Sequence, residues 1–233
     1  MKCYAIVLGG GSGRRMESQI NKIFLPLRGI PAIIRSLAPF TGLCAGAVVV
    51  AAEAEIEDMQ AILRRYGMDR FVKAVVPGGS ERQYSVFNGL KALPEDAECV
   101  LIHDGARALV TEQVIRRALE SVEQHGSGVA AIPVVDTIKR AAPDGLVQET
   151  PDRASLYAIQ TPQSFRMDVI IAAHEKARED GFLGTDDASL LEHAGIPVYL
   201  SEGDRENLKL TTPTDLELAE VILQIRADEE DPE

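Results

Sequence analysis

The chain has 233 residues, 45% of them hydrophobic and 26% charged, enough for one sizeable α/β core and too few for two generous domains. Its 36 acidic against 24 basic residues give a formal charge of -12, which argues against nucleic acid or an anionic membrane surface as the main partner. Small anionic substrates stay open, provided Arg and Lys gather locally against the field of the whole molecule. The opening MKCYAIVLGGGSG holds a short apolar run before its glycines and has no cleavage-site pattern, so it does not read as a signal peptide. Buried strands are expected at Cys3 to Leu8, Ala47 to Ala51, Phe71 to Val76, Cys99 to His103 and Val129 to Val134, with stretches of helical period between them. Ile56, Met59, Ile62 and Leu63 line one helix face, and Val114, Ile115, Ala118, Leu119 and Val122 another. That alternation predicts an α/β fold with a doubly wound, mostly parallel sheet.

One segment breaks the pattern. Asp136 to Arg153 carries two polar, strand-like arms around Pro143-Asp144-Gly145 and reads as a protruding hairpin. It has too few apolar residues to stand alone and needs a partner, for which a second copy of the chain is favoured. Further on, Thr212 before Pro213 is expected to cap a helix whose buried stripe is Leu216, Ala219, Ile222 and Leu223. The expected layout is a single domain over 1–226, with the hairpin at about 136–153 and a frayed acidic tail at 227–233. No apolar stretch reaches membrane length. Cys3, Cys44 and Cys99 are odd in number and widely spaced, which fits neither a disulfide framework nor a zinc site; reduced thiols in a cytoplasmic protein are expected.

The chemistry-bearing residues begin at Gly9-Gly10-Gly11-Ser12-Gly13-Arg14-Arg15-Met16. Glycines directly after a strand let the backbone turn tightly and aim N–H groups at a phosphate. The spacing rules out a Walker loop, whose lysine would follow the last glycine directly, and a dinucleotide fingerprint, which lacks its third glycine here. Arg15 and Lys22 would bring positive charge to a triphosphate. Asp104, before Gly105, ends a strand, where ligands of open α/β sheets bind, and its carboxylate could hold Mg²⁺ or another divalent cation with the phosphates. His103 lacks a partner serine or cysteine and is assigned to structure. The second glycine turn, Gly78-Gly79-Ser80-Glu81-Arg82, opens a helix bearing Ser85. Its backbone could read a base edge, and Arg82 could equally brace the loop through a salt bridge. Lys209 adds a cation beside hydroxyls.

Taken in order, GGGSGRRM, NKIFLPL, PGGSERQYSV, HDGAR, PVVDTIKRA, DRASLYAIQTPQSF, TDDAS and EGDRENLKLTTPTDL resemble the 2-C-methyl-D-erythritol 4-phosphate cytidylyltransferase family of the non-mevalonate isoprenoid pathway nearly end to end. The resemblance implies a Rossmann-like nucleotidyltransferase fold and cytidylyl transfer from CTP to a sugar-alcohol phosphate. The Gly9 to Gly13 backbone, Arg15 and Lys22 would embrace the triphosphate, and Gly79 and Ser85 would sit by the cytosine. Asp104 would face ribose, metal and acceptor phosphate, with Lys209 opposite and Arg107 nearby. Thr185 would contact the acceptor, and Thr137 and Arg153 would complete its site in trans from the hairpin arm of a homodimer. The chain departs from the common pattern at Asn21, Ile23-Phe24, Ser80 and Ala108. Ribitol 5-phosphate cytidylyltransferases share the scaffold and most of these markers, so the acceptor has that alternative. A catalytically silent nucleotide-binding module has no reason to keep Arg15, Lys22, Asp104, Thr137, Arg153 and Lys209 together.

Overall fold

The first strand, β1 (Cys3–Leu8), buries all six of its side chains, Ala5 and Val7 towards one face and Ile6 and Leu8 towards the other. Period-two alternation with apolar residues on both sides suits a strand covered by helices on both faces. The structure, a computed structural model, describes residues 1–10 and 21–230. In chain order the elements after β1 are the ribbon β2 (Pro26–Leu27) and β3 (Ile30–Pro31), α1 (Ala32–Leu37), β4 (Gly46–Ala51), α2 (Ile56–Arg65), β5 (Val72–Pro77), α3 (Arg82–Lys91), β6 (Cys99–Asp104), α4 (Glu112–His125) and β7 (Ser127–Pro133). There follow the hairpin β8 (Arg140–Ala141) and β9 (Val147–Glu149), then β10 (Tyr157–Arg166), α5 (Met167–Glu179), α6 (Asp187–His193), β11 (Leu200–Glu202) and α7 (Pro213–Glu230).

Among the described residues, seven strands form the main sheet in the order β11-β7-β10-β6-β1-β4-β5. The pairs β5 with β4, β4 with β1, β1 with β6 and β7 with β11 are parallel, and β10 runs antiparallel to both β6 and β7. Side chains of α1, α2 and α4 cover one face, with Ile33, Leu37, Met59 and Ile115 fully buried. Those of α3, α5 and α6 cover the other around Phe165 and Ile170. A third cluster joins α7 to Leu27, Ala106 and Leu210, behind the carboxyl end of β6. This is the doubly wound, mostly parallel α/β arrangement expected, and the five expected strands match observed ones to within two residues at each end.

The strand β10 has no counterpart among the expected elements. It contains Pro162 and a polar run, Gln160-Thr161-Pro162-Gln163-Ser164, which removes a ladder donor and hides its period. Its register against β7 shifts between Ile159 and Gln163, and around that irregularity the polar side chains turn inward to bond neighbouring loops.

Pro213 opens α7 directly after Thr212, as expected, and the Asp215 carboxylate accepts from the N–H groups of Thr211 and Thr212 and from the Thr211 hydroxyl at 2.7 Å each. The helix continues through residues 227–230 instead of fraying at 227, and of the expected stripe only Ala219 is fully buried. Leu216, Ile222 and Leu223 are half-buried. The hairpin strands pair with one another, Arg140 opposite Glu149 with a 3.0 Å ion pair, and all their side chains are exposed. The cysteines are free and buried.

His174 of α5 gives this core a pH signature. It is 3% exposed and stacks on Phe87 of α3 at 5.5 Å, with Nε2 buried and unpartnered among the described residues. Burial, and then the charge of Arg82, push its pKa from 6.5 down to about 4. The unfolded chain therefore takes up a proton near pH 6.5 that the folded chain refuses until about pH 4, and stability falls across that window as the pH drops. At ~1.4 kcal/mol per pH unit for one group, His174→Phe is expected to reduce the loss of unfolding free energy between pH 7 and 5 by about 2 kcal/mol. Denaturant titration at the two pH values measures it, and equal losses in both proteins would show that His174 is not held neutral.

Candidate functional site

The carboxyl ends of β1 and β6 lie side by side, Leu8 opposite Asp104, at the point where the strand order reverses and the connecting chains part to opposite sides. Such a switch point leaves an open crevice in an α/β sheet. Two clefts meet there. One, of about 460 Å³, runs along Gly10, the end of β4, Glu53 and the turn Gly78–Ser85. The other, of about 210 Å³, is lined by Gly9, Gly10, Asn21, Lys22, Asp104, Ala106 and Lys209. Leu8, Gly10 and Arg82 border both.

The glycines here answer to close packing. A Cβ on Gly105 would lie 2.9 Å from the Leu8 carbonyl oxygen, the acceptor of the Gly105 N–H. One on Gly79 would lie 2.5 Å from the Tyr84 Cβ, because α3 folds back over the turn that leads into it. The Ser85 hydroxyl closes that turn, accepting from the Gly79 N–H at 2.9 Å and donating to the Glu81 carbonyl at 3.0 Å. Lys22 starts a short helical turn capped by Asn21, whose carboxamide also donates to the Gly9 carbonyl and to Glu55, both at 2.9 Å. That side chain ties the approach to Lys22 to the end of β1.

Asp104 stands between two cations. Arg82 Nε lies 3.6 Å from Oδ1, and Lys209 Nζ lies 2.6 Å from Oδ2. Burial alone would raise this carboxyl, but the charge of Arg82, the charge and hydrogen bond of Lys209, and Arg107 beyond hold it at about 2. Arg82 reaches past it to Asp187, with Nη2 2.7 Å from Oδ2. Burial opposes the charge on Arg82, yet the two carboxylates keep it firmly protonated.

The strand β10 supplies the support. The Thr161 hydroxyl accepts the Asp104 N–H at 3.0 Å, so its own proton goes to His103 Nδ1 at 3.0 Å. His103 Nε2 then donates to the Arg107 carbonyl at 3.2 Å. Burial pushes His103 down to about 4, so it stays neutral and serves as a brace, as its lack of a partner nucleophile suggested. Asn207, fully buried, donates to the Thr161 carbonyl and the Gln160 side chain and fixes the segment that presents Lys209.

Nucleotidyl-transfer chemistry asks for cations, a carboxylate and tightly turned backbone at one crevice, and relatives with that chemistry match the chain from end to end. The IspD family model, described as 2-C-methyl-D-erythritol 4-phosphate cytidylyltransferase, matches residues 3–225. The chain belongs to this family. It is 48% identical over 229 residues to the 2-C-methyl-D-erythritol 4-phosphate cytidylyltransferase of Geobacillus thermodenitrificans, covering 97% of this chain and 99% of that one. It is 45% identical over 222 residues to the protein of the same name from Symbiobacterium thermophilum, covering 95% of this chain and 93% of that one. The crystal structure of 4-diphosphocytidyl-2C-methyl-D-erythritol synthase from Anaerococcus prevotii is similar with a TM-score of 0.84 and 30% identity, over 96% of this chain and 98% of that one.

Of the residues that the cytidylyltransferase resemblance singles out, Gly9, Gly10, Lys22, Asp104 and Lys209 line the smaller cleft, and Gly79 and Ser85 the larger. Gly105 packs against the Leu8 carbonyl at the end of β1. Gly11, Ser12, Gly13 and Arg15 lie outside the described residues. Arg107 directs its guanidinium to the carbonyls of Asn207 at 2.6 Å and Ile159 at 3.5 Å, which makes it a tie between β10 and the segment that presents Lys209. Thr185 is exposed two residues before Asp187, and Thr137 and Arg153 lie exposed at the base of the hairpin, lining neither cleft. Arg153 there donates to the Val135 carbonyl at 2.7 Å. Asp187, Gln163 and Thr161 sit inside motifs that carry the resemblance, but nothing in their spacing marks them as supports of this site.

The close approach at Gly105 can be measured directly. Gly105→Ala pushes a methyl group against the β1 backbone and is expected to cost about 1–3 kcal/mol. The comparison Gly42→Ala, where nothing lies within 4 Å, should stay within about 0.5 kcal/mol of the parent. Thermal unfolding of the pair checks the difference, and equal midpoints would contradict the packing described.

Proposed function

We propose that this protein transfers the cytidylyl group of CTP to 2-C-methyl-D-erythritol 4-phosphate, releasing pyrophosphate, in isoprenoid precursor synthesis. The observation that carries this reading is Asp104 held between Arg82 and Lys209 where two clefts meet, in a chain that belongs to a cytidylyltransferase family. The larger cleft, with Gly79 and Ser85, is the place for the cytosine; the smaller, with Lys22, Asp104 and Lys209, is the place for the phosphates. Arg15, with the backbone of Gly11 to Gly13, would join Lys22 at the triphosphate. An oxygen of the acceptor phosphate attacks the α-phosphorus in line, the α–β bridging bond breaks, and pyrophosphate leaves with the electron pair. No covalent intermediate with the protein is required. The side chains bind and orient two anions that repel each other and favour the crowded transition state. The work falls to preorganised cations, Lys22 and Arg15 at the leaving phosphates and Lys209 at the acceptor side.

A divalent cation fits this set. The described residues contain no cluster of three or more His, Cys, Asp or Glu side chains suited to a metal, but Mg²⁺ commonly takes one or two carboxylates and completes its shell with substrate phosphates and water. Asp104, depressed to about 2 and facing the phosphate cleft, is the carboxylate that would hold it. When bound, the ion neutralises phosphate charge.

The active unit in this reading is a homodimer. Val135, Ile138, Leu146 and Val147 around the hairpin are 39 to 68% exposed, a set of apolar side chains that association would cover. Thr137 and Arg153 would then complete the acceptor site of the partner. Nothing in this proposal involves nucleic acid or a membrane; no described helix is long and apolar enough to cross one, and the place of action proposed is the cytoplasm.

Pyrophosphate release, followed with Mg²⁺, each of four nucleoside triphosphates, and either methylerythritol phosphate or ribitol 5-phosphate, tests the reaction. Release is expected with CTP and methylerythritol phosphate, whereas release with CTP and ribitol 5-phosphate alone would keep the mechanism and change the acceptor. Lys22→Ala and Arg15→Ala should each lower turnover on the order of a hundredfold, and a near-normal rate would remove that residue from its assigned role. Sedimentation at micromolar concentration should give a dimer. A strict monomer would overturn the exchange of arms.

A further inference from the structure

Arg82 belongs to the first turn of α3, on the nucleotide side of the crevice, yet its guanidinium contacts two carboxylates far away in sequence. Asp104 closes β6, and Asp187 opens α6 two residues after the exposed Thr185. Asp187 is 1% exposed, and its Oδ1 has no hydrogen-bond partner among the described residues. A buried ion pair with an unsatisfied oxygen is a poor stabilising device, because desolvating both charges offsets most of their attraction. Its position suggests a different purpose.

The segment carrying Thr185 and Asp187 is anchored at two points. Gln163 Oε1 accepts the N–H groups of Asp187 and Ala188 at 3.0 Å each, and its Nε2 donates to Asp186 at 2.8 Å, which fastens the start of α6 to β10. Arg82 supplies the other anchor and leads directly to Asp104. Its planar fork meets Asp104 through Nε and Asp187 through Nη2, a spread of donors that the one nitrogen of a lysine lacks. Around the crossing point the charges of Asp104 and Asp187 balance those of Arg82 and Lys209. The Arg82 side chain is 30% exposed and borders both clefts, and its two carboxylate partners fix where that charge sits between them.

We infer that Arg82 and Asp187 are positioning residues for the transfer reaction: the guanidinium bridge holds the acceptor-facing segment around Thr185 at a fixed distance from Asp104 and the nucleotide cleft. This inference rests on the cytidylyl-transfer reading, in which Thr185 meets the acceptor. Neither residue takes part in bond making. Loss of the bridge misplaces the acceptor relative to a nucleotide that still binds.

The test compares Asp187→Asn, Arg82→Lys and the double variant with the parent protein. CTP affinity is read by calorimetry without acceptor, acceptor KM and kcat by pyrophosphate release, and folding by thermal unfolding. Asp187→Asn should keep CTP affinity within about twofold while raising acceptor KM about tenfold or more and lowering kcat. Arg82→Lys should reproduce the acceptor defect. The double variant should be no worse in kcat/KM for the acceptor than Arg82→Lys alone, because both changes cut one link. If Asp187→Asn does not fold, Arg82→Lys with both carboxylates intact carries the same comparison of CTP affinity against acceptor KM. A lowered unfolding temperature with parental acceptor KM and kcat would reduce the bridge to a structural brace, and fully additive losses would separate the two residues. A parent protein that turns over no acceptor would overturn the transfer reading and this inference together, whereas turnover by the parent with kinetically silent variants would overturn the inference alone.

Discussion

The arrangement at the crevice depends on keeping one nearly buried carboxylate ionised. Asp104 has a side chain 12% exposed at the end of an all-buried strand, a place where a lone carboxyl would take up a proton. Two cations, one before it and one after it in the sequence, prevent that, Arg82 from the helix after the second glycine turn and Lys209 from the segment before α7. Much of the nearby architecture holds these groups in register. Thr161 fixes the Asp104 N–H, Asn207 fixes the approach to Lys209, and Gly105 lets the following turn lie against β1. Each is a short-range contact whose value lies in where it puts a charge.

Strand β10 connects these contacts. Among the described residues it is the one main-sheet strand that runs against both neighbours, and its register irregularity leaves Gln160, Thr161 and Gln163 buried and turned to side-chain bonding. A regular apolar strand in this place would pack well and provide none of these bonds. Here the sheet trades regularity for polar groups that reach the segments bearing Lys209 and Asp187 and, through His103, the carbonyl of Arg107.

That trade also explains which parts of the molecule could be read from its sequence. The strands β1, β4 and β6 are continuous apolar runs, and the faces of α2 and α4 repeat at helical spacing, so pattern alone locates them. The glycine turns and Asp104 stand at strand ends, where a ligand crevice is expected. By contrast, β10 carries a proline and hydrogen-bonding side chains in place of an apolar period, and its purpose becomes visible only with its neighbours around it. The bridge from Arg82 to Asp187 spans 105 positions, and no local pattern encodes it. Thr212-Pro213 marks the start of α7 in the sequence, whereas the Asp215 carboxylate that accepts the Thr211 and Thr212 N–H groups shows itself only in the folded chain. The same helix keeps its geometry through the acidic residues that composition assigns to a tail, while Leu218, Val221 and Ile225 line its exposed side.

The charge of -12 bears on how such a site treats anions. Steering by the whole protein would repel a triphosphate, so recognition has to be local and directional. The larger cleft includes Glu53 and Glu81 on its walls, and the smaller includes Lys22 and Lys209, with Arg82 at their junction. A nucleotide entered phosphate-first into the larger cleft would meet carboxylates, whereas the opposite orientation puts an uncharged base there and the phosphates beside cations. Because Arg82 and Lys209 are already engaged by Asp104 and Asp187, the cationic end is held in place more than it is highly charged. Such a site gains by fixing geometry before the substrates arrive, and the burial of its carboxylates is what makes the geometry hold.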